Sequence, residues 1–179
     1  MITSTDTALV LVDVQAKLVP AMNGREFLVE NLKRLVQGVR ILGVPVLWTE
    51  QNPAGLGPTI AEIADLLPNQ KPVSKFSFSC CGSEPFSKQL TALNRKNLLI
   101  AGIESHVCVY QSAADLINLR YAVQVIADAV ASRTPENKLI GLEKSKSVGA
   151  GLTSTETALF ELLKDAKSEK FKEISKIVK

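Results

Sequence analysis

Three residues of chemically active type, Asp13, Lys75 and Cys108, sit at or just beyond the ends of apolar runs in a chain of 179 residues. Taken singly, each has an ordinary explanation. Asp13 can cap or pair at a sheet end, Lys75 can be one more exposed lysine, and Cys108 can be a small buried apolar side chain. Taken together they form a working set. A thiol attacks a carbonyl carbon, a carboxylate moves its proton, and a cation holds the carboxylate. Cys108 falls in the first turn of an expected helix. Free backbone N–H groups and partial positive charge there favour thiolate, so the sequence predicts a lowered thiol pKa.

The elements that must position these residues alternate along the chain. ALVLVDV (8–14) is short, β-branched and continuously apolar, as a strand covered on both faces should be. REFLVENLKRLVQGVRILG (25–43) carries an apolar stripe at helical spacing, with Gly43 to end it. PVLWTEQ (45–51) reads as a second strand, and NPAGLGP (52–58) as turns. Thr59 is placed to cap a short helix ending at Leu67. PVSKFSF (72–78) is weakly strand-like, and 83–93 is helical with Pro85 in its first turn. NLLIAGI (97–103) is the clearest strand, followed by Ser105 as a helix cap and an apolar stripe through Val109, Ala113 and Leu116. AVQVIADAV (122–130) is the next strand, and helices are expected over 136–148, 154–163 and 169–177. This alternation predicts one α/β domain over 1–179, with a parallel sheet and right-handed crossovers. In such sheets the site lies outside the carboxyl ends of the strands.

Composition narrows the function classes. A hydrophobic content of 46% supports an ordinary core, and a net charge of +3 with scattered lysines gives no basic block for nucleic acid. The apolar run at the N-terminus is too short to span a bilayer and has no leader pattern, so no membrane role and a cytoplasmic location are expected. The cysteines are Cys80, Cys81 and Cys108, an odd set that suits a reducing compartment. The single histidine, His106, cannot make a several-histidine zinc site. Neither GxGxxG nor GxSxG occurs. No cofactor and no metal are expected.

The segments Leu11-Val12-Asp13-Val14-Gln15, Ser74-Lys75-Phe76-Ser77 and Gly102-Ile103-Glu104-Ser105-His106-Val107-Cys108-Val109 stand in the order found in the isochorismatase-like cysteine hydrolases. The chain resembles that family, which includes nicotinamidases and other amidases, over almost its whole length. TEQNPAGLGPT (49–59) and GLTSTETALFELLKDA (151–166) resemble the isochorismatase domain-containing subgroup in particular. The resemblance implies a three-layer αβα fold with a six-stranded parallel sheet ordered 3-2-1-4-5-6. It implies Asp13 as acid and base, Lys75 as its cationic partner, and Cys108 as nucleophile. It also implies a non-proline cis peptide at Ile103–Glu104, with the backbone amides of Glu104 and Cys108 as oxyanion donors. The histidines of metal-dependent nicotinamidases are missing here, and Cys108 points away from isochorismatases proper.

The expected activity is hydrolysis of a C–N bond in a small amide or ureido-type substrate through a thioacyl-enzyme. Gln15, Trp48, Gln51, Phe76 and His106 are the candidates for touching that small-molecule substrate. Homo-oligomerisation is expected, with the apolar 152–163 stretch contributing. Three other readings stay open: an oligomeric small-molecule-binding protein of the same fold without chemistry, an isochorismatase or nicotinamidase proper, and a redox protein using the adjacent pair Cys80-Cys81.

Overall fold

The continuously apolar runs become the middle of one parallel sheet. The computed structural model describes residues 1–179. In chain order it runs β1 (Thr7–Val12), α1 (Arg25–Ile41), β2 (Val46–Gln51), α2 (Pro53–Leu56), α3 (Ala61–Ala64), β3 (Val73–Lys75) and α4 (Glu84–Leu93). It continues with β4 (Asn97–Ile103), α5 (Tyr110–Asn118), β5 (Ala122–Ala131), α6 (Pro135–Ser147), β6 (Gly151–Thr153), α7 (Thr155–Leu163) and α8 (Phe171–Val178). The sheet order is 3-2-1-4-5-6 and every pairing is parallel.

β1 explains why both faces need helices. All six of its residues are buried, and successive side chains alternate between faces. Leu9 and Leu11 pack with Leu32, Leu35 and Val36 of α1, Leu159 of α7 and Ile174 of α8. Ala8, Val10 and Val12 pack with Phe86 and Leu90 of α4 and Ala113 and Leu116 of α5. The sheet is thus the middle of three layers.

Register brings distant residues to one edge. Val12 lies opposite Thr49 of β2 and Gly102 of β4, and Gln51 lies opposite Lys75 of β3. The carboxyl ends of four strands therefore meet where Asp13, Thr49, Lys75 and the 103–108 turn follow. Close approach there depends on two glycines. Gly102 has φ +118°, and a Cβ on it would sit 2.1 Å from Val12 O. Gly141 of α6 lies against the chain before Cys108, where a Cβ would come 2.4 Å from the Ser105 carbonyl carbon. Neither neighbour is a flexible side-chain tip, so the backbone must move. Gly141→Ala is expected to cost about 1–3 kcal/mol in urea denaturation. It should also lower any activity that depends on the 105–109 turn.

Some local expectations shift. Thr59 does not cap a helix through Leu67. Its amide and hydroxyl both donate to Glu50 Oε1 (2.7 and 2.8 Å), and α3 starts later, at Ala61. Ser105 does not cap its helix either, because its Oγ faces Ser132 Oγ at 2.5 Å. Residues 105–109 form a π-helical turn before α5, with Val109 N donating to Glu104 O across five residues. β6 is a three-residue edge strand without an apolar run, so the sequence pattern held no signal for it.

Candidate active site

Asp13 leaves β1 with φ +53°, in the left-handed region that Asp tolerates better than most residues. Its amide donates to Thr49 O (3.2 Å), and Thr49 Oγ1 donates back to Asp13 Oδ1 (2.8 Å). Lys75 Nζ donates to Asp13 Oδ2 at 2.7 Å, in an ion pair with side-chain exposures of 0% and 1%. The same ammonium faces Gln51 Oε1 (2.8 Å), Ser77 O (3.1 Å) and Phe78 O (3.1 Å). An ammonium has three donors and no acceptor. Four oxygens therefore surround it with no proton to spare.

Cys108 is 8% exposed. Its thiol is pushed up to about 12, first by burial, then by the negative charge of Asp13, with Lys75 acting in the opposite direction. Asp13 also acts on it as a hydrogen-bond partner. The lowered pKa expected from a helix N-terminus is therefore corrected. Desolvation and the nearby carboxylate outweigh the ammonium and the peptide dipoles, and the resting group is a neutral thiol facing a carboxylate. The Ile103–Glu104 peptide is cis. Glu104 O accepts from Val107 N and Val109 N, while Glu104 N donates to no acceptor in the chain. That leaves this N–H without a partner in the chain.

The remaining candidates divide sharply. Gln15 is fully buried, and its amide is consumed: Nε2 donates to Gln51 O (3.0 Å) and Gly57 O (2.7 Å), and Oε1 accepts from Gln51 N (2.7 Å). It braces two loops and does not floor a pocket. Gln51 is also a brace, tying Lys75 to the Phe76 carbonyl (Nε2 to O, 2.7 Å). Trp48 packs in the α1-side core, on the face opposite Cys108, because the strand pleat turns it away. It is withdrawn as a wall of this site. Phe76 is 78% exposed in the single chain, so core packing does not explain it. His106 is half-buried with Nδ1 2.9 Å from Ser132 Oγ. Arg133 Nε pairs with Glu104 Oε1 at 2.6 Å on the rim.

Two further residues lie near the site, one without a sequence signal and one named from the sequence only as half of the adjacent cysteine pair. Thr49 is the first. Cys80 is the other, fully buried, 3.7 Å from Thr49 Oγ1, with its amide donating to Ser112 Oγ on α5 (2.9 Å). Burial pushes its thiol up to about 11. Cys80 and Cys81 are both free, Cys80 lying under the site and Cys81 half-buried beside it. No three His, Cys, Asp or Glu side chains group as metal ligands would. Cavities of about 490 and 440 Å³ lie elsewhere, beside α1 and beside the start of β2, and neither is lined by Asp13, Lys75 or Cys108.

An isochorismatase domain model matches residues 7–157. The chain is 36% identical over 172 residues to isochorismatase domain-containing protein 2 of Danio rerio, covering 96% of this chain and 86% of that one. Among solved structures it resembles the MAR1 ribonuclease of Caenorhabditis elegans, with TM-score 0.93, 32% identity, and coverage of 99% of this chain and 91% of that one. It shares its fold with the YcaC gene product of Escherichia coli, described as an octameric hydrolase of unknown specificity. There the TM-score is 0.89 and the identity 24%, over 93% of this chain and 83% of that one. No helix is long and apolar enough to cross a membrane.

Proposed function

We propose that this chain, which belongs to the isochorismatase domain family, is a metal-free cysteine hydrolase. As a single domain over 1–179, it cleaves a C–N bond of a small amide or ureido-type substrate through a thioacyl-enzyme. One observation carries this reading. A fully buried Asp13–Lys75 ion pair closes at the strand ends beside Cys108, near enough that the Asp13 carboxylate acts on its thiol.

The steps follow from that arrangement. As Cys108 Sγ bonds to the carbonyl carbon, Asp13 takes the thiol proton and the carbonyl π electrons move onto oxygen. The Glu104 and Cys108 amides stabilise that oxyanion, each donor contributing about 2.7–4 kcal/mol. Asp13 then passes its proton to the leaving nitrogen as the C–N bond breaks. Water attacks the thioacyl carbon while Asp13 takes its proton, and that proton returns to sulfur as the acid product leaves. Lys75, with every proton engaged, acts as a fixed charge and not as an acid. His106 and Phe76 remain as rim contacts for substrate. The enclosure of Lys75 also favours carbonyl over phosphodiester chemistry, since phosphoryl transfer needs cations open to the substrate.

The direct test is a panel of small amides and ureido compounds assayed for released ammonia or amine. Turnover of at least one, lost in Cys108→Ala, is expected. Binding without turnover across the panel would favour the oligomeric binding protein instead. Assembly belongs to the same proposal. Phe76, Phe78, Leu139 and Ile140 are at least half exposed in the single chain, and exposed apolar side chains of that size suit contacts between copies. Light scattering should return a multiple of the chain mass, and a monomer would remove this part. Three free thiols suit the cytoplasm, which completes the reading.

A further inference from the structure

We propose that Thr49 is a positioning residue of this site, its hydroxyl committed to Asp13 Oδ1 so that the carboxylate stays aligned to accept the Cys108 proton. The inference rests on reading Asp13 as that acceptor. An ion-paired carboxylate only accepts hydrogen bonds, so in the 2.8 Å contact the threonine must be the donor. Its remaining lone pairs face Cys80 Sγ at 3.7 Å. Cys80 is fully buried, and with the one threonine proton committed to Asp13 the thiol is the donor left for that contact. The chain Cys80 S–H to Thr49 O–H to Asp13 thus runs in one direction and ends on the carboxylate.

The main chain locks the same pair, since Asp13 N donates to Thr49 O. A β-branched side chain on a strand has few rotamers, so the hydroxyl has little freedom to turn elsewhere. Packing alone does not call for a hydroxyl here. Thr49 is 1% exposed and its neighbours on that face include Val12, Leu47 and Cys80. Valine would fill the space without a buried polar atom. The two oxygens of Asp13 are then divided, one to Thr49 and one to Lys75, which fixes the carboxylate plane.

The test uses iodoacetamide on the full chain, with Cys108 labelling followed against pH by peptide mapping. If Asp13 takes the thiol proton, the wild-type rate is flat across the neutral range and falls on the acid side as the carboxylate protonates. Asp13→Asn removes the acceptor, so its rate climbs about tenfold per pH unit, as for an unassisted thiol below its pKa. In Thr49→Val the carboxylate loses a donor and holds a proton more tightly. The acid limb should move to higher pH by about one unit, while Thr49→Ser keeps the limb of the wild type. Thr49→Ala serves in place of the valine variant should that chain not fold. An unmoved limb in Thr49→Val or Thr49→Ala, or an equal shift in Thr49→Ser, overturns the role of the hydroxyl alone. An Asp13→Asn profile identical to wild type overturns the acceptor reading, and the Thr49 proposal with it.

Discussion

Cys108→Ser is expected to lower kcat/KM by about 10⁴–10⁶-fold on any amide the wild type cleaves, with a melting temperature close to the parent's. The size follows from the chemistry of the two atoms. The wild-type thiol is hard to ionise, at about 12, yet the transfer of its proton to Asp13 is local and needs no bulk base. A thiolate formed from a high-pKa thiol is also the more nucleophilic one, because nucleophilicity falls with pKa. A serine hydroxyl in the same place faces a far larger ionisation barrier and presents a harder, less reactive oxygen to the same carboxylate. Aspartate alone is a weak base for it. The change is otherwise small in volume, and the new hydroxyl has Asp13 as a hydrogen-bond partner, so the fold should not suffer. Intact mass during turnover separates the schemes further. The wild type should carry an acyl adduct that maps to Cys108 and disappears as substrate is consumed. Full activity in the serine variant would remove the covalent route altogether.

The sequence made the frame of this site legible and left its state illegible. β1 and β4 announce themselves because strands buried on both faces need unbroken apolar runs, and Asp13 stands out as the carboxylate that ends one of them. Lys75 is different. Its strand is three residues long, so position alone marked it weakly, and it gained weight only beside Asp13 and Cys108. The ionisation of Cys108 could not be read, since position at a helix start is a sequence feature but desolvation and an adjacent carboxylate are not. Trp48 and Thr49 show a second limit. They are neighbours on one strand, and a strand buried on both faces does not declare which residues face which layer. The pleat sent Trp48 to the α1 side and Thr49 to the thiol side. Gln15 and Gln51 failed as pocket walls for a related reason. The Gln15 side chain satisfies both the N–H and the C=O of Gln51, and the Gln51 side chain bridges Lys75 and the Phe76 carbonyl, relations between residues far apart in the chain that no local pattern encodes.

Lys75→Met should be the most destabilising single change at the site, at about 3–5 kcal/mol by urea denaturation. The methionine leaves the Asp13 carboxylate enclosed without its partner, and Gln51 Oε1, Ser77 O and Phe78 O lose their donor at the same time. Lys75→Arg should not rescue it, because a planar guanidinium cannot enter a fully enclosed space shaped by four oxygens around one nitrogen. The double variant Asp13→Asn/Lys75→Met tests where the cost lies. Removing both charges abolishes the unpaired ion, so the pair should be more stable than Lys75→Met alone, with a coupling of about 1–3 kcal/mol in the cycle. Additive losses would mean that Lys75 matters through the loop carbonyls and not through Asp13. The catalytic readout discriminates in the other direction. Asp13→Asn, Lys75→Met and the double variant should all be inactive on the amide panel, even where the double variant regains stability. Recovered stability without recovered turnover is the signature of a buried ion pair retained for its chemistry.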